Sequence, residues 1–302
     1  MINVPTLSVE FRYRQEDEAH FRRELSNLET QYGKDHPETL PTLSSLAVVL
    51  VDQGRFKSAE EMIRRVIIAF RKWKGNGDIN TLQASIYLGY IWVRQGQYVK
   101  SEKILRRTWE SLRDIHGYEH RCTLDAMRSL ALSIEKQGRL KEAEEMLVWT
   151  LEACERVLNQ KDSSIRDTMF NLGVVYFAQG RLKEAEELQE KLVVIILSVL
   201  SLDHPITLLA RAALGITYAN QGYLQKAAEI QTQVLETQKN SLGLAHPNTL
   251  FSMENLSKTW MRQSRKSEAL ELIFTCFQLS TKVLGANHPY TVRRSKFLDD
   301  LM

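Results

Sequence analysis

Apolar residues in this chain fall three and four apart, and the blocks they form recur along its whole length. In the first block Leu43, Leu46, Ala47 and Leu50 share one face of a helix, and in the next Ala59, Ile63 and Val66 do the same. The spacing predicts one helix over about 38–52, opened by a proline that suits a first turn, and a second over about 56–73. Gln53-Gly54 separates them, glycine being the residue that tolerates the left-handed backbone after a helix. No segment alternates apolar and polar residues with a period of two, so no sheet is expected.

The pair of helices repeats. Gly54, Gly96, Gly138, Gly180 and Gly222 stand 42 residues apart, Ser264 takes the next place, and a glutamine precedes each. Thr39-Leu40 returns as Thr81-Leu82, Thr123-Leu124, Thr207-Leu208 and Thr249-Leu250, and His36-Pro37 as His204-Pro205, His246-Pro247 and His288-Pro289. The fourth copy departs, with Asp162 and Ile165-Arg166 in those places. Small residues mark where the helices of a pair cross: Ala47, Gly89, Ala131, Gly173, Gly215 and Ser257 in the first helices, Ala59, Ser101, Ala143, Ala185, Ala227 and Ala269 in the second. A larger side chain at such a crossing would overpack it at a cost of ~1–3 kcal/mol.

The predicted architecture is all-α: a right-handed superhelical solenoid of six 42-residue helix-turn-helix repeats over 36–287. A capping helix over 16–35, in which Arg22-Arg23 precedes Arg64-Arg65 by one period, and another over 288–302 would cover the ends. Residues 1–15 are expected to be extended. Met1 and the two caps suggest a self-contained unit.

Composition narrows the class without changing this picture. Hydrophobic residues make up 43% and charged residues 25%, and the net charge of +3 is too small to point to nucleic acid. Cys122, Cys154 and Cys276 are odd in number and far apart, which argues for a reducing compartment rather than a disulfide framework. No apolar run reaches the ~18 residues of a membrane span, and the start of the chain has no signal-peptide pattern. A cytoplasmic location is expected.

The stretch Leu172-Gly173-x-x-Tyr176-x-x-x-Gly180-x-x-x-x-Ala185, repeated through Leu214, Gly215, Tyr218, Gly222 and Ala227, resembles the tetratricopeptide signature. With the 42-residue period, the His-Pro-x-Thr-Leu opening and Gln-Gly-Arg-x-x-Glu-Ala-Glu (Gln137 to Glu144, Gln179 to Glu186), the chain is most similar to the kinesin-light-chain subgroup. Arrays of fungal nucleotide-binding receptor proteins are similar too. The resemblance covers about residues 16–302.

By that resemblance the first helices line a concave groove. Their second stripe is Ser44, Val48, Val51; Ile86, Tyr90, Val93; Arg128, Leu132, Glu135; Phe170, Val174, Phe177; Ala212, Ile216, Ala219; Glu254, Lys258, Met261, and it is mostly apolar. The asparagine with which family members hold a peptide backbone is kept at Asn171 and Asn255 but replaced by Ser45, Tyr87, Ser129 and Ala213. The resemblance therefore implies a non-catalytic interaction scaffold whose partner differs from an ordinary extended peptide. Its expected groove residues are Tyr87, Tyr90, Arg94, Arg128, Leu132, Phe170, Asn171, Val174, Phe177, Ile216, Asn255 and Lys258. They would hold a protein or peptide with apolar or aromatic anchors, with Arg94, Arg128 and Lys258 facing acidic flanks. Tight curvature burying the stripe is the competing reading of the same residues.

Three alternatives stay open. Residues 1–11, with Val4, Leu7, Val9 and Phe11, would plug the groove; two copies would meet as a homodimer; or an apolar small molecule would be bound, or acted on, among Tyr87, Asp125, Arg128, Glu135 and Asp167. No phosphate-binding glycine loop, His-Glu-x-x-His or Gly-x-Ser-x-Gly occurs, so no catalytic residue or cofactor is assigned. His116, His120 and Cys122 have metal-like spacing, but His120 falls at the repeating His-Pro place, so no metal is assigned. The repeated acidic pairs Glu144-Glu145 and Glu186-Glu187 sit one turn into second helices, where a carboxylate complements the helix dipole by ~0.3–1 kcal/mol.

Overall fold

The computed structural model describes residues 15–286 and 288–300. These form fourteen helices, with no strand among the described residues. The plug expected of residues 1–11 lies outside them. Two compact units divide at Gln179 and Gly180.

The first unit holds α1 (Gln15–Tyr32), α2 (Leu40–Asp52), α3 (Phe56–Lys74), α4 (Ile79–Arg94), α5 (Tyr98–His116), α6 (Arg121–Glu135), α7 (Leu140–Val157) and α8 (Ser163–Ala178). The second holds α9 (Leu182–Leu197), α10 (Pro205–Gln221), α11 (Leu224–Leu242), α12 (Pro247–Arg262), α13 (Lys266–Leu284) and α14 (Pro289–Asp299). Within each unit every helix packs on the next in sequence. The even-numbered helices from α2 to α8, and from α10 to α14, are the first helices of the repeat.

Polar side chains set where these helices start. The Nδ1 atoms of His120, His204, His246 and His288 accept the N–H two residues on, at 3.1–3.3 Å. Asp78 and Asp162 do the same with carboxylate oxygens at 2.9 and 2.8 Å. The repeated histidine is thus a helix cap, and Asp162 keeps that function in the irregular copy. Two residues past the proline place, Thr39, Thr81, Thr207 and Thr249 donate to the carbonyls of Gly33, Gly75, Ser201 and Gly243 at 2.8–3.0 Å, tying each loop to the next helix.

The crossings are as close as the small residues require. A Cβ on Gly89 would lie 2.5 Å from Leu105 Cγ, and one on Gly215 would lie 2.8 Å from Ile230 Cγ2. Around such crossings Leu40, Leu43, Leu46, Leu50 and Ile63 are buried to 1% exposure or less, each contributing ~1.5–3 kcal/mol.

Successive repeats are also clasped. Glu18, Glu60, Glu102 and Glu144 in the first unit accept the side-chain amides of Gln53, Gln95, Gln137 and Gln179 at 2.8–2.9 Å. Glu186 accepts Gln221 in the second unit at 2.8 Å. The first glutamate of each acidic pair therefore serves the next repeat, beyond any dipole effect in its own helix. Burial alone would raise these carboxyls. Instead, bonds from Gln53, Arg22 and Arg55 hold Glu18 at about 2, and bonds from Arg106, Gln137 and Arg139 hold Glu102 at about 2. Where Ala228 replaces the glutamate, Gln263 turns to the Leu224 carbonyl at 3.1 Å.

Candidate functional site

In the first unit α2, α4, α6 and α8 contact one another in turn, whereas α3, α5 and α7 make no comparable contact. First helices thus crowd together and second helices spread apart, which puts the first helices on the inner side of this unit. The expected groove stripe can be followed along that side. Val48 and Val51 are buried in one core cluster with Tyr87 and Trp92. Ile86 and Val93 are buried as well. The reading in which curvature covers the stripe thus describes α2 and most of α4. The lining opens along α4, α6 and α8, where Tyr90, Leu132, Phe170, Val174 and Phe177 are half-buried. Asn171 beside them is buried, at 6% exposure.

The charged residues expected to meet acidic flanks are already engaged. Arg128 is 5% exposed and lies between two aspartates one period apart, 3.0 Å from Asp125 Oδ1 and 3.4 Å from Asp167 Oδ2. Ser164 Oγ donates to Asp125 at 3.1 Å. Burial pushes the Asp167 carboxyl up to about 6, and Arg128 offsets this only in part. Burial would weaken the Arg128 guanidinium, but Asp167 and Asp125 outweigh it and strengthen the cation. Arg94 is exposed, donates to Tyr90 Oη at 2.9 Å and lies 5.7 Å from the Phe56 ring centroid.

In the second unit Ile216 and Asn255 are half-buried, while Ala212 and Ala219 are buried. Lys258 is exposed and sits 2.7 Å from Glu254. Glu254 is itself 1% exposed and also holds Arg293 at 2.8 Å and Arg294 at 3.2 Å. Its place on an open stripe is corrected: α14 covers it, and its charge fastens that helix. Leu209 and Phe251, each 41% exposed, lie one turn before Ala212 and Glu254 and were missed. Extending the stripe three residues toward the helix starts would have found them, since they share the periodic place of Asp125 and Asp167.

Chemical machinery is sparse. Burial raises all three thiols, Cys122 among them, Cys154 to about 12 and Cys276 to about 11, so none is poised as a nucleophile. Among the described residues no group of three or more His, Cys, Asp or Glu is arranged to hold a metal. His116 and His120 stack at 4.7 Å, and His120 Nδ1 is taken by its capping bond to Cys122. No helix among the described residues is long and apolar enough to cross a membrane.

Comparison with known proteins fits this architecture. A tetratricopeptide repeat profile matches residues 80–156 and 164–240, and a second such profile matches 39–72 and 249–290. No curated protein sequence matches. Among solved structures, a Podospora anserina kinesin light chain with nearly identical TPR-like repeats is similar at 26% identity and a TM-score of 0.57, over 67% of this chain and 96% of that one. A Rap protein complexed with competence and sporulation factor has a TM-score of 0.65 at 12% identity, over 94% of this chain and 85% of that one. A Pyrococcus horikoshii signal-transduction ATPase with a tetratricopeptide repeat sensor has a TM-score of 0.63 at 16% identity, over 95% of this chain and 42% of its own.

Proposed function

The chain belongs to the tetratricopeptide repeat family, and from that premise we propose that it is a non-catalytic interaction scaffold that holds a partner segment on the inner face of its first helices. The observation that carries the reading is the half-buried row Tyr90, Leu132, Phe170, Val174 and Phe177 on three neighbouring helices. Such a row on a helical inner face offers area to an apolar or aromatic anchor, each buried side chain contributing ~1.5–3 kcal/mol. The Rap structure, with competence and sporulation factor bound to a protein of similar fold, supports the same use of this architecture. Because Arg128 is spent on Asp125 and Asp167, the anchor we propose is apolar, and acidic flanks are not its main feature.

The test is a capture experiment. A photo-crosslinking amino acid at Phe177 should trap a partner that Phe170→Asp loses, while the same crosslinker at an outer site such as Lys103 should not. Equal capture by wild type and Phe170→Asp would sink the groove reading.

A second reading, an apolar small molecule held beside the acid cluster, is favoured by the buried group Asp125, Arg128 and Asp167, in which burial pushes the Asp167 carboxyl up to about 6. Native mass spectrometry separates the two, a co-purifying small ligand supporting this reading and its absence the first.

A further inference from the structure

A cleft of about 640 Å3 opens on the outer side of the first unit, between residues 32–36 and α3. That is a size typical of ligand-binding pockets. Part of its lining is exposed apolar surface. Ile68 is 64% exposed, Trp73 56% and Tyr32 44%. Ile68 stands at a place where other repeats carry Glu110, Glu152, Val194, Glu236 and Gln278, so the repeat does not require an apolar side chain there.

The wall is also fixed in advance. The Trp73 indole N–H donates to the Asp35 carbonyl at 3.0 Å. The His36 ring stacks on Tyr32 at 5.1 Å and meets Trp73 edge-on at 5.7 Å. A rigid aromatic wall loses little freedom when something docks against it.

Charge decides what fits. Arg65 is held by Glu29 at 2.8 Å and Asp35 at 2.9 Å, and Arg64 by Glu60 at 2.8 Å. Lys34 and Lys72 line the rim, are exposed, and have no carboxylate partner among the described residues. Glu61 is the one unpaired acid among the lining residues. The rim therefore carries a surplus of free positive charge beside an apolar floor.

We infer that this cleft is a second docking site, separate from the proposed groove, for a partner segment presenting an apolar side chain flanked by carboxylates. The apolar side chain covers Ile68 and Trp73, and the carboxylates meet Lys34 and Lys72. The site does not depend on the groove reading.

The experiment uses the full chain and a fluorescein-labelled nonapeptide with a central leucine between aspartate-rich flanks, read by fluorescence anisotropy. Wild type should bind it saturably. Ile68→Glu, and separately the double variant Lys34→Glu/Lys72→Glu, should each weaken it at least about tenfold, as expected for losing one buried aliphatic contact or two attractive charges. All three positions are exposed, and other repeats carry glutamate at the place of Ile68, so the helices should remain folded by circular dichroism. Phe170→Asp, which tests the groove, should leave the peptide affinity at the wild-type value.

The inference is overturned if both cleft variants bind as wild type does, or if no saturable binding is seen at about 1 mM peptide. It is also overturned if Phe170→Asp alone abolishes binding, since the peptide then sits in the groove. A dimer in sedimentation that Ile68→Glu dissociates would overturn it in favour of a second copy of the chain.

Discussion

Glu254 offers a direct test of how the last helix is fastened. It lies in α12, is 1% exposed, and carries three cations: Lys258 at 2.7 Å, Arg293 at 2.8 Å and Arg294 at 3.2 Å. Arg294 is 2% exposed and donates a further bond to Ser280 at 2.8 Å, so α12, α13 and α14 are joined through the Glu254–Arg294 pair. Glu254→Gln keeps the shape and removes the charge. Arg294 is then a buried cation without a counter-ion, and breaking one side of a buried pair costs ~3–5 kcal/mol. With Lys258 and Arg293 at the exposed edge of the site, a loss of about 3 kcal/mol is expected. Urea unfolding measures it, and hydrogen exchange by mass spectrometry should show 289–299 losing protection first. The double variant Glu254→Leu/Arg294→Leu should recover at least half of the loss, because replacing both members of a buried pair by apolar residues is near neutral. Burial would raise the Glu254 carboxyl, but bonds from Arg293 and Lys258 outweigh it and hold it below its ordinary value. Its contribution is therefore complete above about pH 4.3 and fades as pH falls through the lowered value. The gap between wild type and Glu254→Gln should close in that window. A single-variant loss under about 1 kcal/mol, or a double variant whose losses simply add, would refute the reasoning.

Two acid-dependent effects should separate by pH. Burial lowers the His246 imidazole to about 4, and its cap needs the neutral ring, so its contribution is full above about pH 6.5 and is lost as pH falls toward 4. His246→Asp, which copies the caps at Asp78 and Asp162, should remove that slope from a plot of Tm against pH; an unchanged slope would count against the cap. The clasp at Glu102, held at about 2, acts lower: its contribution is present above about pH 4.5 and fades toward 2. Glu102→Gln should cost ~1.5–3 kcal/mol at neutral pH and flatten the lower window in chemical denaturation, and a loss below about 0.5 kcal/mol would mean that the clasp is ornamental.

What the sequence revealed was whatever repeats within one copy. Gly89 against Leu105 and Gly215 against Ile230 were legible because a small residue returns at each crossing. The helix over about 38–52 is found at Leu40–Asp52, and that over about 56–73 at Phe56–Lys74. Ser264 was legible as a stand-in for glycine, and it does take a left-handed backbone, with φ 63°. What was hidden were pairings between copies. Glu144 was read against the dipole of its own helix, while its partner Gln179 lies 35 residues on. Arg128 was read as facing a partner's acidic flanks in the groove, or as grouped with Asp125 and Asp167 around a small molecule; that its buried guanidinium is held between those two aspartates does not follow from local periodicity. Val48 and Val51 went into the core for the same reason: crowding of neighbouring first helices is a property of the assembled unit.

Those hidden pairings bear on what the two proposed surfaces can do. On the inner face of the first unit, Arg128 is neutralised by Asp125 and Asp167, and Arg94 donates to Tyr90 and lies over the Phe56 ring. What remains there for a partner is apolar area, whose attraction is largely indifferent to ionic strength. At the outer cleft the structural pairs end with Arg64 and Arg65, and Lys34 and Lys72 keep their charge for something else. Exposed charges are screened within about 8 Å at physiological salt and about 3 Å at 1 M. Raising the salt should therefore weaken the cleft peptide several-fold while leaving the groove partner nearly unmoved, even before any residue is changed. Equal salt sensitivity at both surfaces would mean that the inner-face cations are not as fully occupied as their distances imply.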